Sequence, residues 1–242
     1  MASMRKILAS ILLFISINSF ADVVVLVHGY DSKPSVWLKH GIYQNLSQKF
    51  NNKHVIYTAQ LPNKAPIAIQ ANILSKQLEG LKKQYNQPII LVGHSAGGVV
   101  ARYLTVHRKG LNIKGLITIS APHLGSNLAF VSNIVSGVVP FTSIIPVFDS
   151  LDEAKGLYGN IRRRSIFLKQ LNHQQHPDIC YVSIIREKSL VSDMVSMQHS
   201  QNMNSVPALR GKSYVIGSHK HHSLNRFDTN RIVQAINVCD KK

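Results

Sequence analysis

A serine flanked by glycines, Gly93-His94-Ser95-Ala96-Gly97, lies between the apolar run Ile89-Ile90-Leu91-Val92 and a helix-like segment from Val99 to Val106. A serine at the sharp turn between a buried strand and a helix has its hydroxyl thrust out of the backbone, within reach of a histidine base and a substrate carbonyl. Glycines on both sides keep a Cβ from colliding with the neighbouring strand or helix. The pattern alone arises by chance in about one chain in ten of this length. Its setting, strand before and helix after, is what points to Ser95 as a nucleophile.

A serine nucleophile needs a base, and the base needs an orienting carboxylate. In a strand-turn-helix setting the chain order is serine, then acid, then histidine. Asp193 is the leading acid, in the polar loop Ser189-Leu190-Val191-Ser192-Asp193-Met194-Val195, with Glu187 and Asp178 as rivals at the ends of the preceding strand. The last loop, Ser218-His219-Lys220-His221-His222-Ser223-Leu224, offers three histidines. His222, nearest the final helix, is favoured as base, with His221 next. Two backbone amides are placed to hold an oxyanion: Ala96 after the nucleophile and Tyr30 after the first strand. His28 is read as a brace for that turn. No second group of Cys, Asp or His at ligand spacing accompanies the histidine loop, so neither a metal nor a cofactor is expected.

These residues need a scaffold that gathers them at one edge. Short apolar runs at Val23–Val27, Val55–Thr58, Ile89–Val92, Ile113–Ile119, Ile179–Ile185 and Tyr214–Ile216 read as buried strands. Helical segments lie between them, at Val36–Phe50, Ile67–Tyr85, Gly98–Arg108 and Arg226–Val238. In the second, Ile67, Ala71, Leu74, Leu78 and Leu81 form one apolar stripe, with Lys76, Lys82 and Lys83 outside it. Alternation of strand and helix predicts an α/β fold: a doubly wound, mainly parallel sheet of about six strands with helices on both faces. In such sheets ligand chemistry gathers at the carboxyl ends of the strands, where His28-Gly29, Ser95, Pro122-His123 and the Asp193 loop all fall.

Residues 1–21 combine a basic start (Arg5, Lys6), an apolar stretch from Ile7 to Ile17 and the small-residue ending Ser19-Phe20-Ala21. This predicts a cleaved signal peptide, export to the periplasm or beyond, and a mature domain over 22–242. Removal of the segment leaves 26 basic against 11 acidic side chains, a net charge of +15, from the +17 of the full chain. A charge of that size suits peripheral contact with an anionic membrane surface. The basic residues are scattered apart from Arg162-Arg163-Arg164, and no nucleic-acid-binding signature accompanies them. Cys180 and Cys239 would survive cleavage, and a disulfide and two buried thiols both stay open.

Three blocks together resemble the α/β-hydrolase superfamily on its bacterial lipase and triacylglycerol-lipase-like side. They are Val24-Val25-Leu26-Val27-His28-Gly29-Tyr30, Gly93-His94-Ser95-Ala96-Gly97-Gly98, and Thr118-Ile119-Ser120-Ala121-Pro122-His123-Leu124-Gly125-Ser126. The resemblance implies a minimal α/β-hydrolase fold, since the chain begins at what would be the third strand of the full fold. It further implies Ser95 as nucleophile with Asp193 and His222 completing a triad, and ester or lipid substrates. His123 would shape the site without reacting. The uncharged stretch from Asn127 to Phe148 opens a segment, 127–175, where this superfamily often carries a cap or lid. A thioesterase or acyltransferase would use the same residues, and a non-catalytic envelope-binding protein on this scaffold is the alternative from another class.

Overall fold

The structure, a computed structural model, describes residues 21–30, 32–126, 156–157, 159–186, 198–218 and 223–242. Within them the elements run β1 (Val23–Val27), α1 (Val36–Lys39), α2 (Ile42–Lys49), β2 (Val55–Thr58), α3 (Ile67–Tyr85), β3 (Ile89–His94), α4 (Ala96–His107) and β4 (Ile113–Ile119). They continue with α5 (Ile166–His173), β5 (Cys180–Arg186), α6 (Gln198–Gln201), β6 (Ser213–Ser218) and α7 (Asp228–Cys239). The strands form one six-stranded sheet in the order β2-β1-β3-β4-β5-β6. Every neighbouring pair is parallel. The expected doubly wound parallel sheet is therefore present.

All five residues of β1 are buried, because helices cover both faces and leave the strand no polar side. Alternation then sorts its side chains. Val23, Val25 and Val27 join Ile89 and Leu91 under α3 and α4, together with Leu74, Leu78, Val100 and Leu104. Val24 and Leu26 join Ile90, Val92 and Val182 on the opposite face, under Trp37, Leu46, Ile232 and Ile236 of α1, α2 and α7. The predicted stripe of α3 is buried as expected, and the helix ends at Asn86, which takes a left-handed conformation with φ 50°.

Three helix bounds differ from the sequence reading, one of them with a clear local cause. The helix expected over Val36–Phe50 is broken into α1 and α2 by Gly41, at φ 68°. The left-handed residue turns the chain so that both Trp37 and Ile42 can be buried, which a single helical period would not allow. The helix after Ser95 begins at Ala96 rather than Gly98, and the final helix runs Asp228–Cys239. Cys180 at the start of β5 and Cys239 at the end of α7 are joined by a disulfide, with Cα atoms 5.3 Å apart.

Candidate active site

Ser95 occupies the turn between β3 and α4 with φ 52° and ψ −129°, a backbone region that non-glycine residues enter at a cost. The turn is held from both sides: the Ser95 N–H donates to the Ile119 carbonyl at 2.9 Å, and the Ser95 carbonyl accepts from Gly98 N–H at 3.0 Å. A Cβ at Gly93 would lie 2.5 Å from Gly98 Cα, and one at Gly97 would lie 2.3 Å from the carbonyl oxygen of His28. The glycines of the motif are thus the contact points at which α4 rests on β3 and on the end of β1.

The β1 turn reaches the same place. A Cβ on Gly29 would stand 3.0 Å from the Cβ of Ser95, so the backbone leading to Tyr30 lies directly against the serine. His28 is buried, and its Nδ1 lies 3.1 Å from the Gly29 carbonyl oxygen. Burial pulls its pKa below the ordinary histidine value, only partly offset by the backbone hydrogen bond. The neutral ring therefore donates from Nδ1 to Gly29. Because the Gly29 carbonyl and the Tyr30 N–H share one planar trans peptide, this hydrogen bond also sets the direction of the Tyr30 amide. On the other side of Ser95, Ala96 is the first residue of α4, so its N–H has no intrahelical acceptor.

A second strained residue adjoins the first. Ser120, just past β4, is buried with φ 53°, and its N–H donates to the Ile184 carbonyl at 3.0 Å. His123 follows in a closely tied loop, its N–H on the Ser200 carbonyl at 2.9 Å and its Nε2 3.1 Å from Thr118 Oγ1. Complete burial, with the charges of Arg102 and His176 adding to it, holds the His123 pKa well below the ordinary value. A neutral ring locked on a threonine fits a wall of the site. Beneath it Arg102 is fully buried, its Nη2 donating to Asn172 Oδ1 at 2.6 Å, while Asn172 Nδ2 donates to the His123 carbonyl at 3.1 Å. Burial pushes the Arg102 pKa down to about 9.

Of the sequence-predicted site, Ser95, Ala96, Tyr30 and His28 are brought together at the carboxyl edge of the sheet. Asp193, Glu187, His219, His221 and His222 lie outside the described residues, as do Asn127–Phe148 and residues 1–20. The residues that border these segments are described: Arg186 at the end of β5 and Gln198 on either side of 187–197, and Ser218 at the end of β6 and Ser223 on either side of 219–222. Asp178 is at the amino end of β5, opposite the chemistry, with an almost fully exposed side chain 3.2 Å from Lys242 Nζ. It is removed as a rival acid.

The sequence reading missed a group at the far edge of the sheet. Asp22, His54 and Asp240 place their ligand atoms within 4.8 Å of one another. Lys114 Nζ sits between the two carboxylates, 2.9 Å from Asp22 and 2.8 Å from Asp240, and so supplies a positive charge there itself. These residues come from the starts of different strands and the end of α7, and no local spacing announces them.

Comparison with known proteins agrees with this architecture. The profile of the PGAP1-like alpha/beta domain matches residues 17–139. No curated protein matches the sequence significantly. Among solved structures, the mature lipase BlEst2 of Bacillus licheniformis is similar at 16% identity and a TM-score of 0.63, covering 89% of this chain and 91% of its own. A lipase-esterase related protein from Clostridium acetobutylicum is similar at 13% identity and 0.57, covering 92% and 96%. The phospholipase PlaB of Legionella pneumophila is similar at 16% identity and 0.59, covering 76% of this chain and 46% of that one. At these identities the likeness establishes the fold alone, the parallel α/β sheet that these lipases and esterases share with this chain. Among the described residues no helix is long and apolar enough to cross a membrane.

Proposed function

Since the chain belongs to the PGAP1-like alpha/beta domain family, we propose that it is an exported serine hydrolase that cleaves carboxylic esters. The observation that carries this reading is the strained Ser95 at φ 52°, at the head of α4 and pressed against the β1 turn by Gly29. A residue is kept in such a conformation only where the surroundings over-determine it, and that expense is characteristic of functional sites.

In the proposed reaction His222, oriented by Asp193, takes the hydroxyl proton of Ser95 as Oγ bonds to the ester carbonyl carbon. The carbonyl oxygen gains the negative charge and is held by the amides of Tyr30 and Ala96. Collapse breaks the acyl C–O bond, and the imidazolium returns its proton to the leaving alcohol. Water then repeats the sequence on the acyl-enzyme, releasing the acid and freeing Ser95. No step calls for a metal or an organic cofactor.

Export is supported by the basic-then-apolar start of the chain and by the Cys180–Cys239 bridge, since disulfides persist in oxidising compartments. The charge of +15 left after removal of residues 1–21, 26 basic against 11 acidic side chains, supports transient contact with anionic head groups. The test is hydrolysis of nitrophenyl esters of graded acyl length by the purified protein beside Ser95→Ala. Turnover by the wild type, reduced by several orders of magnitude in the variant, is expected. Equal rates for the two would rule out hydrolysis at this serine.

A further inference from the structure

Arg186, the last residue of β5, has no part in the chemistry proposed above, yet it is fully buried at the carboxyl edge of the sheet. Its guanidinium grips Asp228 at the start of α7 with two bonds, Nη1 to Oδ1 at 2.5 Å and Nη2 to Oδ2 at 3.2 Å. Nη1 also donates to Ser218 Oγ at 2.9 Å, and Nη2 lies 3.5 Å from the Ser223 carbonyl. Ser218 and Ser223 are the two residues that flank 219–222, the segment carrying the three histidines. Asp228 tightens the same end, because its Oδ2 accepts from Asn225 N–H at 3.0 Å.

The backbone of Arg186 does the same for the other loop. Its N–H donates to Gln201 Oε1 at 2.8 Å, and its carbonyl accepts from Gln198 Nε2 at 3.1 Å. Gln198 is where the chain returns after 187–197, the segment carrying Asp193. One residue therefore ties down both ends of the segment with the candidate acid and both ends of the segment with the candidate base.

A buried ion pair is a poor way to gain stability, since two apolar side chains of similar volume commonly serve as well or better. What apolar side chains cannot supply is direction. The planar guanidinium offers several donors in fixed relative orientation, so it sets the spacing of the groups it binds. We propose that Arg186, with Asp228, is a positioning residue: by tying Gln198, Gln201, Ser218 and Ser223 to one point, it governs how the acid and base proposed within 187–197 and 219–222 meet Ser95. This rests on the serine-hydrolase reading above.

The deciding variant is the paired replacement Arg186→Met with Asp228→Asn, which removes both charges and nearly keeps the volume. Thermal melts and circular dichroism report folding, and turnover is measured per folded molecule. Placement errors on the order of 1 Å cost about a hundredfold in rate, so kcat is expected to fall about 10²-fold with KM within about threefold. Labelling of Ser95 by a fluorophosphonate should slow in parallel. Asp22→Asn, which disturbs the ion cluster at the opposite edge of the sheet, serves as a destabilised control whose kcat per folded molecule stays at the wild-type value. A folded double variant with wild-type kcat and labelling rate overturns the proposal. Should the double variant not fold, Ser218→Ala combined with Gln201→Leu decides instead. It keeps the ion pair but removes one tether from each loop, and its kcat should drop about tenfold; an unchanged kcat overturns the proposal equally. Failure of the wild-type protein to be labelled at Ser95 would fault the serine-hydrolase reading itself and is seen independently of any Arg186 variant.

Discussion

Replacing Gly97 by alanine adds one methyl group at the place where α4 meets the end of β1. The added Cβ would stand 2.3 Å from the His28 carbonyl oxygen and 2.6 Å from that of Val27, against an ordinary contact of 3.4 Å or more. Helix and strand end must part by about 1 Å, because both oxygens belong to the backbone and neither can swing away as a side chain would. Overpacking of this kind costs about 1–3 kcal/mol. The movement is delivered to the peptide that carries the Tyr30 amide and to the turn that carries Ser95, so kcat should fall about a hundredfold in addition. Gly80→Ala is the matched comparison, since it lies in α3 with nothing within 4 Å of the new methyl. Helix propensity alone should stabilise that variant by about 1 kcal/mol, raising Tm by about 2–4 °C at wild-type turnover. Thermal melts and nitrophenyl ester kinetics on both proteins give the contrast. A Gly97→Ala protein with undiminished kcat and a Tm at or above the wild-type value would refute the claim that this close approach sets the site.

His28→Ala should lower kcat by about tenfold or more with little change in KM, because loss of the 3.1 Å contact to Gly29 frees the peptide that aims the Tyr30 amide; steady-state kinetics at fixed pH check this. Reduction of the Cys180–Cys239 bridge, or Cys239→Ser, should cost about 4 kcal/mol for a sequence separation of 59 residues, read as a shift in the urea midpoint. The contribution of His176 to stability should be level above neutral pH and decline as pH drops from 6.5 towards 4. Burial, with Arg102 adding to it, lowers the His176 pKa to about 4, so below 6.5 the unfolded chain binds the proton that the folded chain refuses. The loss from this group reaches roughly 3 kcal/mol, and His176→Gln should flatten that part of the Tm-against-pH curve. Asp22 acts in a lower window: burial alone would raise its pKa, but hydrogen bonds from His54 and Lys114 hold it below 3.8, so its contribution is present above that pH and is lost beneath it.

The centre of the sheet is legible because β1, β3, β4 and β5 are largely buried on both faces and read as apolar runs. Val23–Val27 and Ile113–Ile119 coincide with the strands observed. The edge strand reads shorter in the sequence, Tyr214–Ile216 against Ser213–Ser218, because Ser213, Gly217 and Ser218 at its ends carry no hydrophobic signal. Gly41 was passed over in the first helix, since a single glycine in a helical stretch does not announce whether it will adopt a positive φ. Helix α5 was not expected either, although Ser165, whose Oγ accepts from Leu168 N–H at 3.0 Å, is a cap that its sequence does display. The nucleophile turn was found because its residues are contiguous. The Arg186 tethers and the Asp22–His54–Lys114–Asp240 cluster were not, because chain-distant residues joined only by the sheet leave no spacing to detect. Arg102 likewise reads as one polar position in an apolar helix, with nothing local to show that its guanidinium is buried.

The central claim is that Ser95 is an activated nucleophile. The most direct measurement is reaction of the purified protein with a fluorophosphonate, followed by peptide mapping of the adduct. One equivalent of label on the peptide containing Gly93-His94-Ser95-Ala96-Gly97, absent from Ser95→Ala and from heat-unfolded protein, is the predicted result. A folded wild-type protein that takes up no label, or carries it on a different residue, would contradict the account.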